Sequence, residues 1–166
     1  HDSLALSYFQ KALDIYNSII APRDDVANLH ESLSDFWAKQ KDYTRALKHV
    51  RIGLKLLTTG WEPEDLVGNP TFEQFEEYFT SMELLDEKSR ILAAMARIDK
   101  DVSLLKKAIT TDLLIIDIIE YLRNTSMSFE SQLQVAKLEY NIFNITLDHI
   151  AEAYRQTRDP YYSELA

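Results

Sequence analysis

Asp148, His149 and Glu152 are the residues of this sequence that come nearest to an acid–base or metal site. Side chains three or four positions apart share one face of a helix, so His149 and Glu152 can lie side by side. The apolar neighbours Leu147 and Ile150 are, however, typical of an ordinary amphipathic helix whose polar residues face water. We therefore interpret the three side chains as a solvated helix face.

Other patterns that carry chemistry are absent from the sequence. Gly53, Gly60 and Gly68 lie too far apart to form a phosphate-binding loop, and no serine has the flanking glycines of a hydrolase elbow. No histidine follows a glutamate by three positions, as in di-iron bundles, and no cysteine is present to act as a nucleophile. We interpret His30 and His49, which lack carboxylates at ligand spacing, as packing or surface residues. The sequence predicts no enzyme, no catalytic residue, no cofactor and no metal.

The composition favours a helical protein that binds neither nucleic acid nor membranes. Hydrophobic residues make up 46% of the 166 residues, and the three glycines and four prolines leave few tight turns for a sheet protein. The net charge of −9 opposes binding to nucleic acid or to an anionic membrane. No run approaches the roughly 20 apolar residues that span a bilayer, and the start at His1 has no secretory signal. With no cysteine, the chain is predicted to be cytoplasmic.

Apolar residues recur at helical spacing along almost the whole chain. Two glycines and two prolines cluster at about 60–72, which predicts an insertion there. We therefore expect an all-α chain of about six to seven helices that forms a single domain over residues 1–166. The predicted helices run up to Pro22, over about 26–39, from an N-cap at Asp42 to Gly60, over about 72–97, 102–124 and 129–157, and, as first turns only, over 159–166.

A pattern of small and large apolar residues repeats with a shift of 41 positions. Small residues are needed where two helices cross closely, and Leu, Phe and Val fill the grooves beside them. Repetition at a fixed period is typical of a solenoid. The pattern is Ala5-Leu6-x-x-Phe9-x-x-Ala12-Leu13, and it recurs as Ala46-Leu47-x-x-Val50-x-x-Gly53-Leu54.

The stretch from Ala27 to Thr58 resembles a tetratricopeptide (TPR) repeat. It differs from the family at Ser34, where glycine is usual, and at Thr58, where proline is common. The resemblance implies a right-handed α-solenoid of antiparallel helix pairs, in which the first helix of each pair lines a concave face. The family's small and large positions are matched by Leu33, Trp37, Ala46, Val50 and Gly53, and its interhelix turn by Asp42-Tyr43.

Residues from about 82 to 166 resemble the repeats that precede the CHAT domain in bacterial TPR–CHAT proteins. The resemblance is carried by the run from Ile116-Asp117 through Leu122-Arg123, by Ser126, by Ser128-Phe129-Glu130-Ser131, and by Ala153-Tyr154-Arg155-Gln156-Thr157-Arg158-Asp159-Pro160. It implies a sensing or scaffolding arm for a caspase-like cysteine peptidase that lies outside this chain. Asp159 to Ala166 also repeats the opening of the helix at Asp101, so we expect a piece of a longer protein that begins and ends inside a repeat.

Charged and aromatic residues are unevenly distributed around the insertion. Residues 62–87 contain nine carboxylates and no Lys or Arg, whereas basic residues line one face of the preceding helix. The acidic stretch is either a dock for a basic partner or a set of solvated faces that neutralise one another, and we favour the second interpretation. Five aromatic residues are expected to hold the insertion onto the helices, with a peptide groove as the alternative. They are Trp61, Phe72, Phe75, Tyr78 and Phe79.

These observations together predict a protein-interaction scaffold. Its helix pairs would present a concave surface to a peptide, a partner protein or a C-terminal domain of the same polypeptide. By position in the matched repeat, the candidate partner-binding residues are Asn28, Glu31, Asp35 and Lys39. The alternative is the regulatory arm of a CHAT-type peptidase, which would transmit a binding event by a change in solenoid curvature. The sequence makes no prediction of the oligomeric state.

Overall fold

The computed structural model describes residues 2–19, 21–125 and 128–165. Within these ranges the chain is all-helical, with seven α-helices, one short 3₁₀ helix and no β-strand, which confirms the predicted all-α character and helix number. His1, Ser126 and Ala166 lie outside the described residues. The elements are α1 (Asp2–Ser18), α2 (Arg23–Lys39), α3 (Tyr43–Leu56), the 3₁₀ helix (Phe72–Gln74), α4 (Phe79–Asp99), α5 (Val102–Arg123), α6 (Phe129–Thr157) and α7 (Pro160–Leu165).

The chain divides into two compact units, residues 1–87 and 88–166. The first unit contains α1, α2, α3, the segment that follows α3 and the beginning of α4. The second unit contains the remainder of α4 together with α5, α6 and α7. Each unit buries apolar side chains of its own, such as Leu47 and Leu54 in the first unit and Ile115 and Ile118 in the second.

In the first unit, α2 and α3 form an antiparallel hairpin. Ala27, near the start of α2, approaches Gly53, near the end of α3, and Trp37 at the other end of α2 lies under the guanidinium of Arg45. Asp42 begins α3 as predicted, because its Oδ1 accepts a hydrogen bond from the Arg45 amide at 3.1 Å.

In the second unit, α5 and α6 form another antiparallel hairpin. His149, in the second half of α6, bonds to Asp112 in the middle of α5. Arg123, at the end of α5, pairs with Glu139 in the first half of α6 at 2.8 Å. The C-terminal end of α5 therefore lies beside the first half of α6, and the middle of α5 lies beside the second half of α6. The two helices thus run antiparallel.

Gly53 lies where α3 packs closely against α2 and α4. A Cβ atom at this position would lie 2.8 Å from Leu84 Cδ1 of α4 and 3.5 Å from the carbonyl oxygen of Ala27 in α2. The repeat pattern predicts a small residue at this crossing, and the packing gives the physical reason. Ser34, which occupies another small position of the TPR pattern, is fully buried, and its hydroxyl has no hydrogen-bond partner.

The insertion is longer than the sequence predicts and is closed by backbone hydrogen bonds. Because α3 ends at Leu56 and α4 begins at Phe79, the predicted helix start at Phe72 is wrong. Thr58 and Phe75 form an isolated antiparallel bridge, which keeps the residues after the 3₁₀ helix extended. We call residues 57–78 the insertion from here on.

The capping carboxylate of Glu77 sets the start of α4. Its two carboxylate oxygens accept hydrogen bonds from the backbone amides of Phe79 and Thr80, each at 2.8 Å. Amides in the first turn of a helix have no partner within the helix, so a carboxylate that binds two of them favours a helix start at this point.

Aromatic side chains hold the insertion in place. Trp61 and Phe75 are buried, and Phe72 stacks on Tyr78 with ring centroids 6.0 Å apart. The burial of Trp61 and Phe75 is expected of aromatics that attach an irregular segment to a helical body, whereas the contact of Phe72 with Tyr78 lies within the insertion.

Candidate partner-binding site

The four predicted partner-binding residues lie along α2. They are spaced by three or four positions, which aligns them on one face of the helix. Asn28 and Lys39 are exposed, whereas Glu31 and Asp35 are half-buried. Lys39 Nζ lies 2.5 Å from Asp35 Oδ2, so the C-terminal end of this face contains an ion pair. The structure thus places the four side chains on one face and joins two of them, Asp35 and Lys39, and their role in binding a partner stays a prediction.

The beginning of α4 adds carboxylates to this face. Burial raises the pKa of Glu31, and the nearby carboxylates of Glu83, Asp35 and Asp86 raise it further. The pKa of Glu83 is also raised, first by burial and then by Glu77 and Asp86. We call Glu31, Asp35, Glu83 and Asp86 the acidic face. Because like charges this close oppose one another, Glu31 and Glu83 lie in an electrostatically unfavourable environment.

The repeat pattern did not indicate Glu83 and Asp86 as members of the site. They belong to a helix that follows the insertion, and only tertiary packing brings them to α2. The one signal in the sequence was their place in the acidic stretch of residues 62–87. Spacing along a single helix cannot show which two helices will share a face.

Other carboxylates of the acidic stretch are neutralised by basic residues. Lys55 of α3 pairs with Glu62 at 2.7 Å, and Arg23 of α2 pairs with Glu76 at 2.8 Å. The interpretation of mutually neutralising faces therefore fits the insertion. It does not fit Glu31, for which the described residues provide no ion pair and the neighbouring charges that affect its pKa are all carboxylates.

His30 and His49 meet between α2 and α3. Their Nδ1 atoms are 3.0 Å apart and their rings are stacked at 26°. One Nδ1 must carry a proton and the other must accept it, so the pair needs two different neutral tautomers. Burial lowers the pKa of His30 to about 4, with His49 as a second cause, and burial also lowers the pKa of His49. These contacts support the interpretation of His30 and His49 as packing residues.

The interpretation of Asp148, His149 and Glu152 as a solvated face is wrong for His149. Its ring is buried, and Nδ1 lies 2.8 Å from Oδ2 of the fully buried Asp112. Glu152 pairs with Arg97 at 2.8 Å, and Asp148 is exposed. The sequence around His149 does not indicate Asp112 as its partner, because Asp112 lies 37 positions earlier in the chain.

Two kinds of feature are absent from the described residues. No three His, Cys, Asp or Glu side chains among them are grouped as metal ligands would be. None of the described helices combines the length and the apolar character that crossing a membrane requires. No family model, no curated protein and no solved structure matches this chain. The candidate site therefore rests on the contacts of its own residues.

Proposed function

We propose that this chain is a protein-interaction scaffold whose acidic face binds a basic peptide or a basic segment of a partner protein. In this proposal the hairpins belong to a right-handed TPR-like solenoid, and α2 is the first helix of its pair. The close approach of Gly53 to Leu84 and to Ala27 supports the proposal, because tight packing of successive helices is what a solenoid requires.

The observation that carries the proposal is the clustering of carboxylates around the half-buried Glu31, to which Glu83 and Asp86 of α4 add their charge and raise its pKa. A carboxylate that is half-buried among other carboxylates is held in an unfavourable environment by the rest of the fold. A Lys or Arg side chain placed between them would relieve the repulsion and release any bound proton. The acidic face is therefore better suited to a cationic partner than to water alone.

The ends of the face add orientation to this charge preference. The ammonium of Lys39 lies at the C-terminal end of α2, where it would repel a second cation and favour a partner carboxylate or carbonyl. Asn28 is exposed at the other end, and its side-chain amide can both donate hydrogen bonds to and accept them from the backbone of a peptide. A basic segment bound along α2 would thus have a preferred direction.

A labelled Arg- and Gly-rich peptide, followed by fluorescence anisotropy, tests the proposal. Replacing Glu31→Gln and Glu83→Gln together should weaken binding about tenfold, which is about 1.4 kcal/mol. The matched control is Glu64→Gln with Glu73→Gln, because both residues are exposed and the change in net charge is the same. This control should weaken binding by less than about twofold.

The control variant distinguishes binding at the acidic face from attraction by the net charge of the chain. Equal weakening by the two pairs of substitutions would mean that the net charge, and not the acidic face, attracts the peptide. A wild-type chain that binds an acidic peptide as well as the basic one would also contradict the proposal.

A further inference from the structure

A stripe of large apolar and aromatic side chains runs along an exposed side of α6. The helix buries another side, which includes Val135, Ile142 and Ala153. Phe129 is 82% exposed and Tyr140 is 73% exposed, whereas the water-facing side of a helix is ordinarily polar. We call this feature the α6 stripe. Its large members are Phe129, Leu133, Tyr140, Phe143, Leu147 and Tyr154.

The spacing of the α6 stripe is that of a helix that packs along its length against another helix. With the exposed Ala136 included, its members follow one another at alternating steps of four and three residues from Phe129 to Leu147. Such alternation keeps the apolar seam of each helix against its partner. From Phe129 to Tyr154 the stripe is about 38 Å long, at 1.5 Å per residue.

The α6 stripe has nearly the same order when the helix is read backwards. Its centre lies between Asn141 and Ile142, and positions at equal distances from this centre match. Leu133 is the exception, since its counterpart Ile150 is buried. Two copies of one helix that pack antiparallel about a two-fold axis place matching positions opposite one another. The matching pairs are Tyr140 with Phe143, Ala136 with Leu147 and Phe129 with Tyr154.

A row of four charged residues beside the α6 stripe is complementary to itself. Glu130, Lys137, Asp148 and Arg155 are seven, eleven and seven positions apart, which is close to two, three and two helical turns. They therefore lie on one flank of the stripe, and their charges alternate in sign. A two-fold axis brings this flank of one copy to the same flank of the other in reverse order. Each charge then meets the opposite charge, whereas a parallel pair would bring like charges together.

The exposed area of the α6 stripe is sufficient for a dimer. At about 200 Å² for a complete large side chain, the exposed parts of the six amount to about 600 Å² in one copy. An apolar patch of this size is at the upper end of what monomers expose. Two copies would bury about 1,200 Å² before the charged flank is included, and specific interfaces begin at about this area.

We propose that two copies of this chain form a dimer by packing their α6 stripes antiparallel. Tyr140 and Phe143 form the centre of the interface. Lys137 pairs with Asp148 of the second copy, and Glu130 pairs with Arg155 of the second copy, so the interface contains each ion pair twice. The α6 stripe belongs to the second unit and the acidic face to the first, so this proposal is independent of peptide binding.

Sedimentation velocity of the 166-residue chain tests the dimer. Between about 1 and about 100 μM, the mass should rise from 19.3 kDa towards twice that value. Tyr140→Glu with Phe143→Glu should weaken dimerisation at least a hundredfold, because four carboxylates would be buried at the centre. Both side chains are exposed, so the variant should keep its helical circular dichroism.

The matched control for this variant is Tyr8→Glu with Ile15→Glu. These side chains are also large and exposed, they lie on α1, and the change in net charge is the same. The control should dimerise like the wild type. A wild-type chain that stays monomeric throughout would overturn the proposal. An equal loss in the α1 variant would also overturn it, because the interface would then involve α1.

A charge swap tests the antiparallel register. Lys137→Glu and Asp148→Lys should each weaken dimerisation about tenfold, because either substitution places like charges opposite one another twice in each dimer. The two substitutions change the net charge in opposite directions, so net charge alone cannot make both weaken. The double variant should return to within about threefold of the wild-type Kd. A double variant as weak as the single ones would show that Lys137 does not face Asp148, and this register would be rejected.

Discussion

Two buried side-chain atoms in the described part of the chain lack a hydrogen-bond partner, namely Ser34 Oγ and Asp112 Oδ1. The two have different explanations. Asp112 orients the buried His149 through its other carboxylate oxygen. Ser34 lies at a small position of the repeat, where a serine fits the space but its hydroxyl finds no partner. We therefore expect Ser34 to be a weak point in stability with no role in binding.

Ser34→Ala should raise the free energy of unfolding by about 1 kcal/mol. The substitution removes a desolvated hydroxyl, keeps the volume small and places a better helix former inside α2. Urea unfolding followed by circular dichroism measures the effect.

Ser89→Ala is the matched comparison for this prediction. Ser89 is also fully buried in a helix, but its hydroxyl donates a hydrogen bond to the Ala108 carbonyl. We expect this variant to lose about 1 kcal/mol. If both alanine variants were destabilised, the hydroxyl of Ser34 would have a partner in solution, and the prediction would be wrong.

At this scale the sequence was a good guide to local features and a poor one to distant partners. Asp42 was predicted as an N-cap because a cap acts on the next turn of the same helix. Gly53 was predicted to be a small residue at a helix crossing because its spacing repeats. Asp112 could not be paired with His149, since their contact depends on the register of two helices.

Between elements, the contact of His30 with His49 makes the α2–α3 hairpin sensitive to acid. The pKa of His30 is lowered to about 4 from its ordinary 6.5, and the pKa of His49 is lowered as well. Between these pH values the unfolded chain binds more protons than the folded chain. The free energy of unfolding should therefore fall as the pH is lowered through this window.

His30→Gln should remove the larger part of this dependence, about 2 kcal/mol after allowance for solvent screening. Urea unfolding at several pH values between 4 and 7 measures it. The raised pKa of Glu31 and Glu83 acts in the opposite sense, because protonation then favours the folded chain and stability falls as the pH rises above 4.5. The difference between variant and wild type isolates the histidine contribution. Parallel curves for the two proteins would contradict the prediction.

Phe75 is a buried aromatic residue of the insertion and lies in the bridge with Thr58. Phe75→Ala should lower the free energy of unfolding by about 3 kcal/mol, because a buried ring is removed. Phe72→Ala is the control, since that ring is only half-buried, and it should cost about 1 kcal/mol.

Hydrogen exchange locates the damage. The amides of Thr59 and Glu76 donate to backbone carbonyls across the insertion, and both should exchange faster in Phe75→Ala. Unchanged exchange at Thr59 and Glu76 in that variant would mean that the ring does not hold the insertion closed.

Helix bounds were predictable where a capping residue begins the helix and were not predictable beside the insertion. The predicted range of 129–157 agrees with α6, which begins after the capping Ser128. The predicted start at Phe72 is wrong because the aromatic spacing of residues 72–79 resembles a helix. Gln74 and Glu76 instead form backbone hydrogen bonds with Thr59 and Leu57, just after α3, and Glu77 caps the helix that begins at Phe79. Such pairing cannot be read from local periodicity.

For the whole molecule, composition and periodicity were sufficient to predict an all-α chain of about seven helices. They were not sufficient to reveal that Glu31 of α2 and Glu83 of α4 lie on one acidic face of the first unit. The net charge of −9 does not show this clustering, because it carries no information about where the charged residues lie. Surface charge therefore has to be judged locally, from which helices share a face.

Salt should reveal the acidic face more strongly than the rest of the surface. Raising NaCl from about 20 to about 300 mM shortens the Debye length from roughly 20 Å to roughly 6 Å. Binding of the basic peptide should weaken about tenfold over this range. In the chain with Glu31→Gln and Glu83→Gln the same change should be about threefold or less. A salt dependence that is identical in the two chains would place the peptide elsewhere.

The closed insertion is also a suitable place to insert additional residues. Its ends are joined by two backbone hydrogen bonds, from Thr59 to Gln74 and from Glu76 to Leu57. What lies between them can therefore lengthen without pulling on α3 or α4, and each doubling of loop length costs only about 0.6 kcal/mol. We therefore expect an epitope or a fluorescent label inserted after the exposed Glu64 to leave these two hydrogen bonds intact.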